Sequence, residues 1–321
     1  MEDYARFILN SRSLSADLKS IRHDFATTLL PVLADAILHR DTAGDVGTTN
    51  KTATEFIRED TDQVVTAAGK RFGEAIRCLE EFAKTSDPII AAKLESIRYR
   101  FYIVEQTLAL TLRSTSRFRS VRLYVLITQA HCAGRPWQLV AEQAIAGGAD
   151  CLQLREKDIE AGELMVRARE FVALCRKHNV ISIINDRVDV ALAANADGVH
   201  VGQTDFPARD ARRIVGRSKI IGVSTHCIDH ARQAVLDGAD YIGVGPIFRS
   251  ATKARDILPG LDYAREVAAE IAIPAVAIAG INGSNIAQVM STGLRAVAVT
   301  AAVTEQADVA GAARQLKNAI P

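Results

Sequence analysis

The sequence predicts an α/β protein: a closed (β/α)8 barrel of the TIM type, preceded by an all-α helical domain. Three observations carry this reading. Apolar residues recur at helical spacing over the first third of the chain, whereas beyond it short continuous apolar runs alternate with helical stretches. Eight such runs fit into roughly 200 residues, the small end of the size range of closed barrels. The junctions "AGGADCLQL", "AANADGVHV" and "LDGADYIGV" repeat one plan, in which small residues close a helix and Ala-Asp opens the next strand. The domains divide as residues 1–115 and 120–321.

In the first domain, "TDQVVTAAGKRFGEAIRCLEEFAK" places Val64, Val65, Ala68, Phe72, Ile76, Leu79 and Phe82 at three- and four-residue spacings, an amphipathic helix. "AAKLESIRYRFYIVEQTLALTLR" reads the same way. Between the helical stretches, "RDTAGDVGTTNKTATEF" (Arg40–Phe56) is rich in Gly, Thr and Asp and reads as a loop. The domain also repeats itself. Met1–Phe7 and Leu18–Phe25 resemble Leu79–Thr85 and Leu94–Phe101, which suggests two related helical hairpins in a pseudo-symmetric bundle. The second copy has about three turns of helix ahead of "LEEFAK", while the first begins at "MEDYA". That inequality suggests an internal Met1 or a lost first helix.

The strands expected in the second domain are Leu123–Thr128, Cys151–Leu154, Ile181–Ile184, Gly198–Val201, Ile220–Val223, Tyr241–Val244, Ala275–Ala279 and Ala296–Thr300. Most are unbroken apolar runs, as parallel strands covered on both faces require. A doubly wound open sheet is the alternative, but no GxGxxG follows the first strand, and eight near-equal units favour closure.

The 39 basic and 38 acidic side chains nearly cancel, so no global field points to nucleic acid or an anionic membrane as partner. Five cysteines, odd in number and without a CxxC pair, suggest reduced thiols in a cytoplasmic protein, packing in the barrel as small apolar groups. No apolar stretch reaches membrane-spanning length, and "MEDYARF" lacks the order of a secretion signal. A homo-oligomer is left open.

Barrel chemistry belongs at the carboxyl ends of the strands. There the sequence reads "QLREKD", "INDR", "HVGQTD", "GVSTH", "GVGPIFRSATK", "AIAGINGS" and "VAVTAA". One rim thus gathers Arg155, Lys157 and Lys253, the carboxylates Asp186 and Asp205, and Gly-rich turns. Strands three and four are neighbours, so the two carboxylates can converge and hold Mg²⁺ while substrate phosphates complete its shell. The competing reading is that each Asp caps the helix after it. The "AGINGSNI" turn at Gly280 and the "VTAA" turn at Thr300 and Ala301 offer backbone N–H groups for a phosphate cradle, against a purely structural Gly-rich turn. His200 and His226 read as packing or hydrogen-bonding residues. By itself this rim fits diphosphate or phosphoryl chemistry, and also a sugar-phosphate isomerase.

At "LQLREKD", "INDRVDVALAANADGVHVGQTD", "GVSTH", "GPIFRSATK" and "AIAGI" the sequence resembles the thiamine phosphate synthase family, over essentially all of residues 122–320. Such enzymes are transferases of thiamine biosynthesis that join hydroxymethylpyrimidine diphosphate to thiazole phosphate and release pyrophosphate. The resemblance implies that Gln153, Arg155 and Lys157 contact the pyrimidine and its diphosphate, with Asn185 on the ring. It implies Mg²⁺ on Asp186 and Asp205, and Ser224 and Lys253 at the diphosphate. Ser250 and Thr252, with backbone at Gly280, would take the thiazole phosphate. Two departures stand out: Arg249-Ser250 where the family has Pro-Thr, and Ala301 where it has Ser. The implied mechanism breaks the pyrimidine C–O bond first, and the thiazole nitrogen captures the cation, so stabilising pyrophosphate is the protein's main task. A thiazole tautomerase is the alternative within the fold, but it would have no use for the retained carboxylates and cations.

"RDTAGDVGT" and "GEAIRCLEEFAK" resemble a helical domain fused ahead of thiamine phosphate synthase in some bacteria, of a family associated with phosphorylating hydroxymethylpyrimidine phosphate. The residues support this sparsely. There is no GxxxxGK[ST] loop, and "TAAGKRFGEA" lies within a helical pattern. Asp41, Asp45 and Gly47 fit either a Mg²⁺–phosphate pocket or a structural turn, and a domain that only dimerises or steadies the barrel is the non-enzymatic alternative.

Overall fold

The computed structural model describes residues 1–9, 11–33, 36–45, 57–58, 61–113, 116–216, 218–249 and 258–321. The chain forms two compact units, Met1–Leu112 and Arg113–Pro321.

The first unit is helical. A wide helical turn at Tyr4–Ile8 leads into α1 (Arg12–Leu33); α2 (Thr61–Ala83) and α3 (Pro88–Arg113) are the other long helices among the described residues. α3 starts where "DPII" dictates. Asp87 Oδ1 accepts from the N–H groups of Ile89 and Ile90 at 2.9 and 3.0 Å, and Pro88 follows with its φ already helical.

The predicted stripe of α2 is rotated in the structure. Val65 and Ile76 are buried with Gly69, Gly73 and Glu80, whereas Val64, Leu79 and Phe82 are exposed. Two contacts turn the helix this way. Its glycines admit α3 closely: a Cβ on Gly69 would lie 2.8 Å from Glu105 Oε1. Glu80 is drawn inward by Arg98, whose Nε donates to Glu80 Oε2 at 2.6 Å.

The repeat in the sequence is a repeat of contacts. Arg22 Nε donates to Glu2 Oε2 at 2.9 Å, the counterpart of Arg98 on Glu80. Arg100 donates to Asp24 Oδ2 at 2.6 Å, and these two occupy equivalent positions of the copies. Phe72 bridges the equivalent Phe25 and Phe101, at ring separations of 5.3 and 4.5 Å. Equivalent residues meeting each other are the mark of a pseudo-twofold axis running between the hairpins.

The second unit is the barrel. After the single turn α4 (Ser116–Arg119) it runs β1 (Leu123–Ile127), α5 (Trp137–Ala146), β2 (Cys151–Leu154), α6 (Ala161–Lys177), β3 (Ile181–Asn185), α7 (Val188–Ala193), β4 (Gly198–Val201) and α8 (Ala208–Val215). It continues through β5 (Ile220–Thr225), α9 (Ile228–Leu236), β6 (Tyr241–Val244), α10 (Gly260–Glu270), β7 (Ala275–Ile278), α11 (Ile286–Met290), β8 (Val297–Val299), α12 (Ala301–Thr304) and α13 (Val309–Asn318). All pairings are parallel, and β1 closes on β8.

Period-two alternation sorts each strand into two faces. Leu123, Val125, Leu152, Ile184, Val199, Ile221 and Ile242 point outward to the helices. Tyr124, Leu126, Cys151, Ile183, Ile220, Tyr241, Val276 and Ala298 fill the interior. Phe118, from α4, stacks on Tyr241 with ring centroids 3.8 Å apart. The Ala-Asp junctions clamp neighbouring strands. Asp150 accepts from Leu123 N at 2.9 Å, Asp197 from Ser182 N at 2.9 Å, and Asp240 from Ile221 N at 2.7 Å, each binding the start of the strand before it. Cys132, Cys151 and Cys175 pack as small apolar groups, but Cys227 is exposed, because it lies in the rim turn ahead of α9.

Candidate active site

Inward-facing positions near the carboxyl ends of the strands are not all apolar, and their polar members surround one open cavity. Gln153 of β2, Asn185 of β3, His200 of β4 and Ser224 of β5 line it, with Arg155, Lys157, Asp186 and Asp205 from the turns. Gly280, Thr300 and Ala301 line it from the ends of β7 and β8. In a closed ring of eight, β3 and β4 stand across from β7 and β8. The carboxylates and the Gly280–Ala301 backbone therefore face each other over the cavity. Ser250, Thr252 and Lys253, expected to contact both phosphate groups, lie outside the described residues, as does Gly47.

Asp186 takes a left-handed backbone, φ 60°, a conformation Asp tolerates better than most residues. Its N–H donates to the His200 carbonyl at 2.8 Å, tying the end of β3 to β4. Its carboxylate lies 3.0 Å from Lys157 Nζ and within hydrogen-bonding reach of Asp205. Burial raises the Asp186 pKa above the ordinary carboxylate value; the Asp205 carboxyl adds to the rise and Lys157 opposes it. Asp205 Oδ2 also accepts from Gly202 N at 2.9 Å. Neither carboxylate caps the helix that follows: α7 begins after Arg187 and α8 after Pro207, both without a side-chain cap.

No cluster of three or more His, Cys, Asp or Glu suited to a metal exists among the described residues. The carboxylates of Asp186 and Asp205, gathered on one cavity, are nonetheless a fitting donor set for Mg²⁺, which takes one or two protein oxygens and fills its shell from water and phosphate.

Below the carboxylates runs a chain of buried hydrogen bonds. Gln153 Nε2 lies 2.6 Å from Tyr124 Oη, Tyr124 Oη 3.0 Å from Tyr241 Oη, Tyr241 Oη 2.9 Å from His200 Nδ1, and His200 Nε2 2.9 Å from Ser224 Oγ. Burial pushes both phenols well above their ordinary pKa, so both keep their protons. Sequence reasoning missed Tyr124 and Tyr241. Their signal was present, a phenol at an inward position of an apolar strand, which needs a polar partner when buried. His226 Nδ1 donates to the Gly245 carbonyl at 2.5 Å, so both rim histidines are hydrogen-bonding residues.

In the helical unit Asp41 Oδ1 accepts from Gly44 N at 2.9 Å, an exposed local turn.

Residues 123–303 match the family model of thiamine monophosphate synthase, and residues 1–107 match that of the ThiD2 family. A thiamine-phosphate synthase of Rhodopirellula baltica is 41% identical over 313 residues, spanning 94% of this chain and 83% of that protein. One of Synechocystis sp. is 37% identical over 318 residues, 98% of this chain and 90% of that protein. Among solved structures, thiamine phosphate pyrophosphorylase from Pyrococcus furiosus is 33% identical with a TM-score of 0.59, covering 64% of this chain and 97% of that one.

Proposed function

The chain belongs to the thiamine monophosphate synthase family, and on that premise we propose how its own residues carry the reaction and what its helical unit adds. The barrel joins 4-amino-2-methyl-5-(diphosphooxymethyl)pyrimidine to 4-methyl-5-(2-phosphooxyethyl)thiazole, giving thiamine phosphate and pyrophosphate. The observation that supports the residue roles is the facing arrangement: carboxylates and cations at β2–β4 and the Gly280–Ala301 backbone at β7–β8, around one cavity.

Gln153 and Asn185 hold the pyrimidine. Arg155 and Lys157, with Lys253 and the Ser224 hydroxyl, hold the diphosphate. Backbone at Gly280, Thr300 and Ala301, with Ser250 and Thr252, takes the thiazole phosphate. Asp186 and Asp205 would hold Mg²⁺, which when bound supplies positive charge against the departing pyrophosphate. The C–O electron pair leaves with pyrophosphate, and the thiazole nitrogen lone pair forms the new C–N bond. Arg155 and Lys157 stabilise the charge that develops on the leaving group, and no general base is required.

The ThiD2 match over residues 1–107 favours a second activity, phosphorylation of the pyrimidine monophosphate by ATP. Both readings are tested by incubating the chain with thiazole phosphate and Mg²⁺, in one well with the pyrimidine diphosphate and in a second with the monophosphate and ATP. Thiamine phosphate in both wells is the expected result. Product from the diphosphate alone removes the kinase reading and leaves the helical unit structural. Product in neither well removes the synthase assignment and brings the thiazole tautomerase forward.

A further inference from the structure

The buried chain Gln153–Tyr124–Tyr241–His200–Ser224 joins the β2 and β5 sides of the cavity, and with one proton on the His200 ring its hydrogen bonds can be oriented in only two complete ways. In the orientation the structure holds, Gln153 Nε2 donates to Tyr124. The Tyr124 oxygen has then accepted, so its proton goes to Tyr241 at 3.0 Å. Tyr241 in turn donates to His200 Nδ1 at 2.9 Å. With Nδ1 accepting, a neutral His200 carries its proton on Nε2 and donates to Ser224 Oγ at 2.9 Å. The ends follow: Gln153 offers its carbonyl oxygen to the cavity, and Ser224 offers its proton. The reverse orientation runs from the Ser224 hydroxyl inward to a turned Gln153 amide, so that Gln153 presents NH₂ and Ser224 presents only lone pairs. A mixed orientation strands a buried donor or acceptor and is disfavoured.

We propose that Tyr124, Tyr241 and His200 are positioning residues that couple the two ends of the pyrimidine substrate. A ring that donates an amine N–H to Gln153 and an oxyanion that accepts from Ser224 select the same orientation of the chain, so each strengthens the binding of the other. This rests on the substrate contacts of the function proposed above. It makes the 4-amino group and the diphosphate a jointly read pair although separate residues hold them. Gly222 leaves space for the relay. A Cβ on Gly222 would lie 2.1 Å from the Tyr241 ring, so no larger residue fits beside it.

The test measures the dissociation constant of pyrophosphate, with Mg²⁺, in the presence and absence of saturating 4-amino-5-hydroxymethyl-2-methylpyrimidine. In the wild-type chain the pyrimidine should tighten pyrophosphate about fivefold, and pyrophosphate should tighten the pyrimidine by the same factor. In Tyr241→Phe the factor should fall to about one while each ligand still binds alone, since the relay is cut between ends that both survive. A second arm needs no variant: the same pyrimidine with hydrogen in place of the 4-amino group should bind wild type without tightening pyrophosphate. Full coupling in a folded Tyr241→Phe, or equal coupling by the desamino compound, overturns the relay. If Tyr241→Phe does not fold, the desamino arm decides. Failure of the underlying function reads differently, as a wild-type chain that forms no thiamine phosphate.

Discussion

Asp186 shows why a single residue here has to satisfy backbone and charge together. At φ 60° alanine would strain the turn, so the informative variant is Asp186→Asn, which keeps the shape and removes the charge. We expect Mg²⁺-dependent coupling to fall by about 100-fold or more. Stability should move the other way. Burial raises the folded pKa of Asp186, so without metal the native state loses stability as pH rises from the ordinary carboxylate range through that raised value. Asparagine has no such loss. Thermal scans at pH 5 and pH 8 should therefore show Asp186→Asn gaining on wild type at the higher pH in EDTA, with Mg²⁺ raising the melting temperature of wild type alone. Gly222 is the opposite case, a residue defined by what it lacks. Its position opposite the buried Tyr241 leaves no space for a methyl group, and Gly222→Ala should destabilise by about 1–3 kcal/mol in urea unfolding while leaving the metal ligands in place.

At the scale of elements, the two repeats of the helical unit offer a built-in control. Glu80 and Arg98 are largely withdrawn from water, whereas Arg22 in the equivalent pair is 66% exposed. The Arg98 guanidinium holds the Glu80 carboxyl below the ordinary range, so this contribution is present at neutral pH and fades as acid titrates Glu80 through its lowered pKa. Arg98 also lies 4.4 Å over the Tyr99 ring. Arg98→Met should cost about 2 kcal/mol, because it removes a charged hydrogen bond and leaves the buried Glu80 carboxylate to the half-exposed Lys84, 3.4 Å away. Arg22→Met should leave the unfolding midpoint where it was. Equal effects in denaturant titrations would show that burial does not separate the two pairs.

For the whole molecule, two units with separate cores predict two unfolding transitions. Calorimetry of the full chain should show one endotherm that Arg98→Met lowers and another that Mg²⁺ with pyrophosphate raises, since a ligand stabilises only the unit that binds it. A single transition moved equally by both would mean that the units unfold together.

How much of this was legible in the sequence differs from residue to residue. Eight apolar runs and the Ala-Asp junctions determined a closed barrel, because parallel strands buried on both faces must be apolar throughout, and that constraint is written locally. The motifs at the strand ends placed Gln153, Asn185, Asp186, Asp205 and Ser224 at the rim, because polar side chains break into or follow the apolar runs there. The direction of the α2 face was not legible: glycines and an inward Glu80 outweighed Val64, Leu79 and Phe82 through contacts with α3 that no window along α2 contains. Nor was the buried relay. Tyr124 and Tyr241 lie 117 positions apart, and closing the ring alone brings their hydroxyls to 3.0 Å. Period and polarity are properties of short segments and survive in one dimension. Which polar group finds which partner across a barrel depends on closure, and only the tertiary structure decides it.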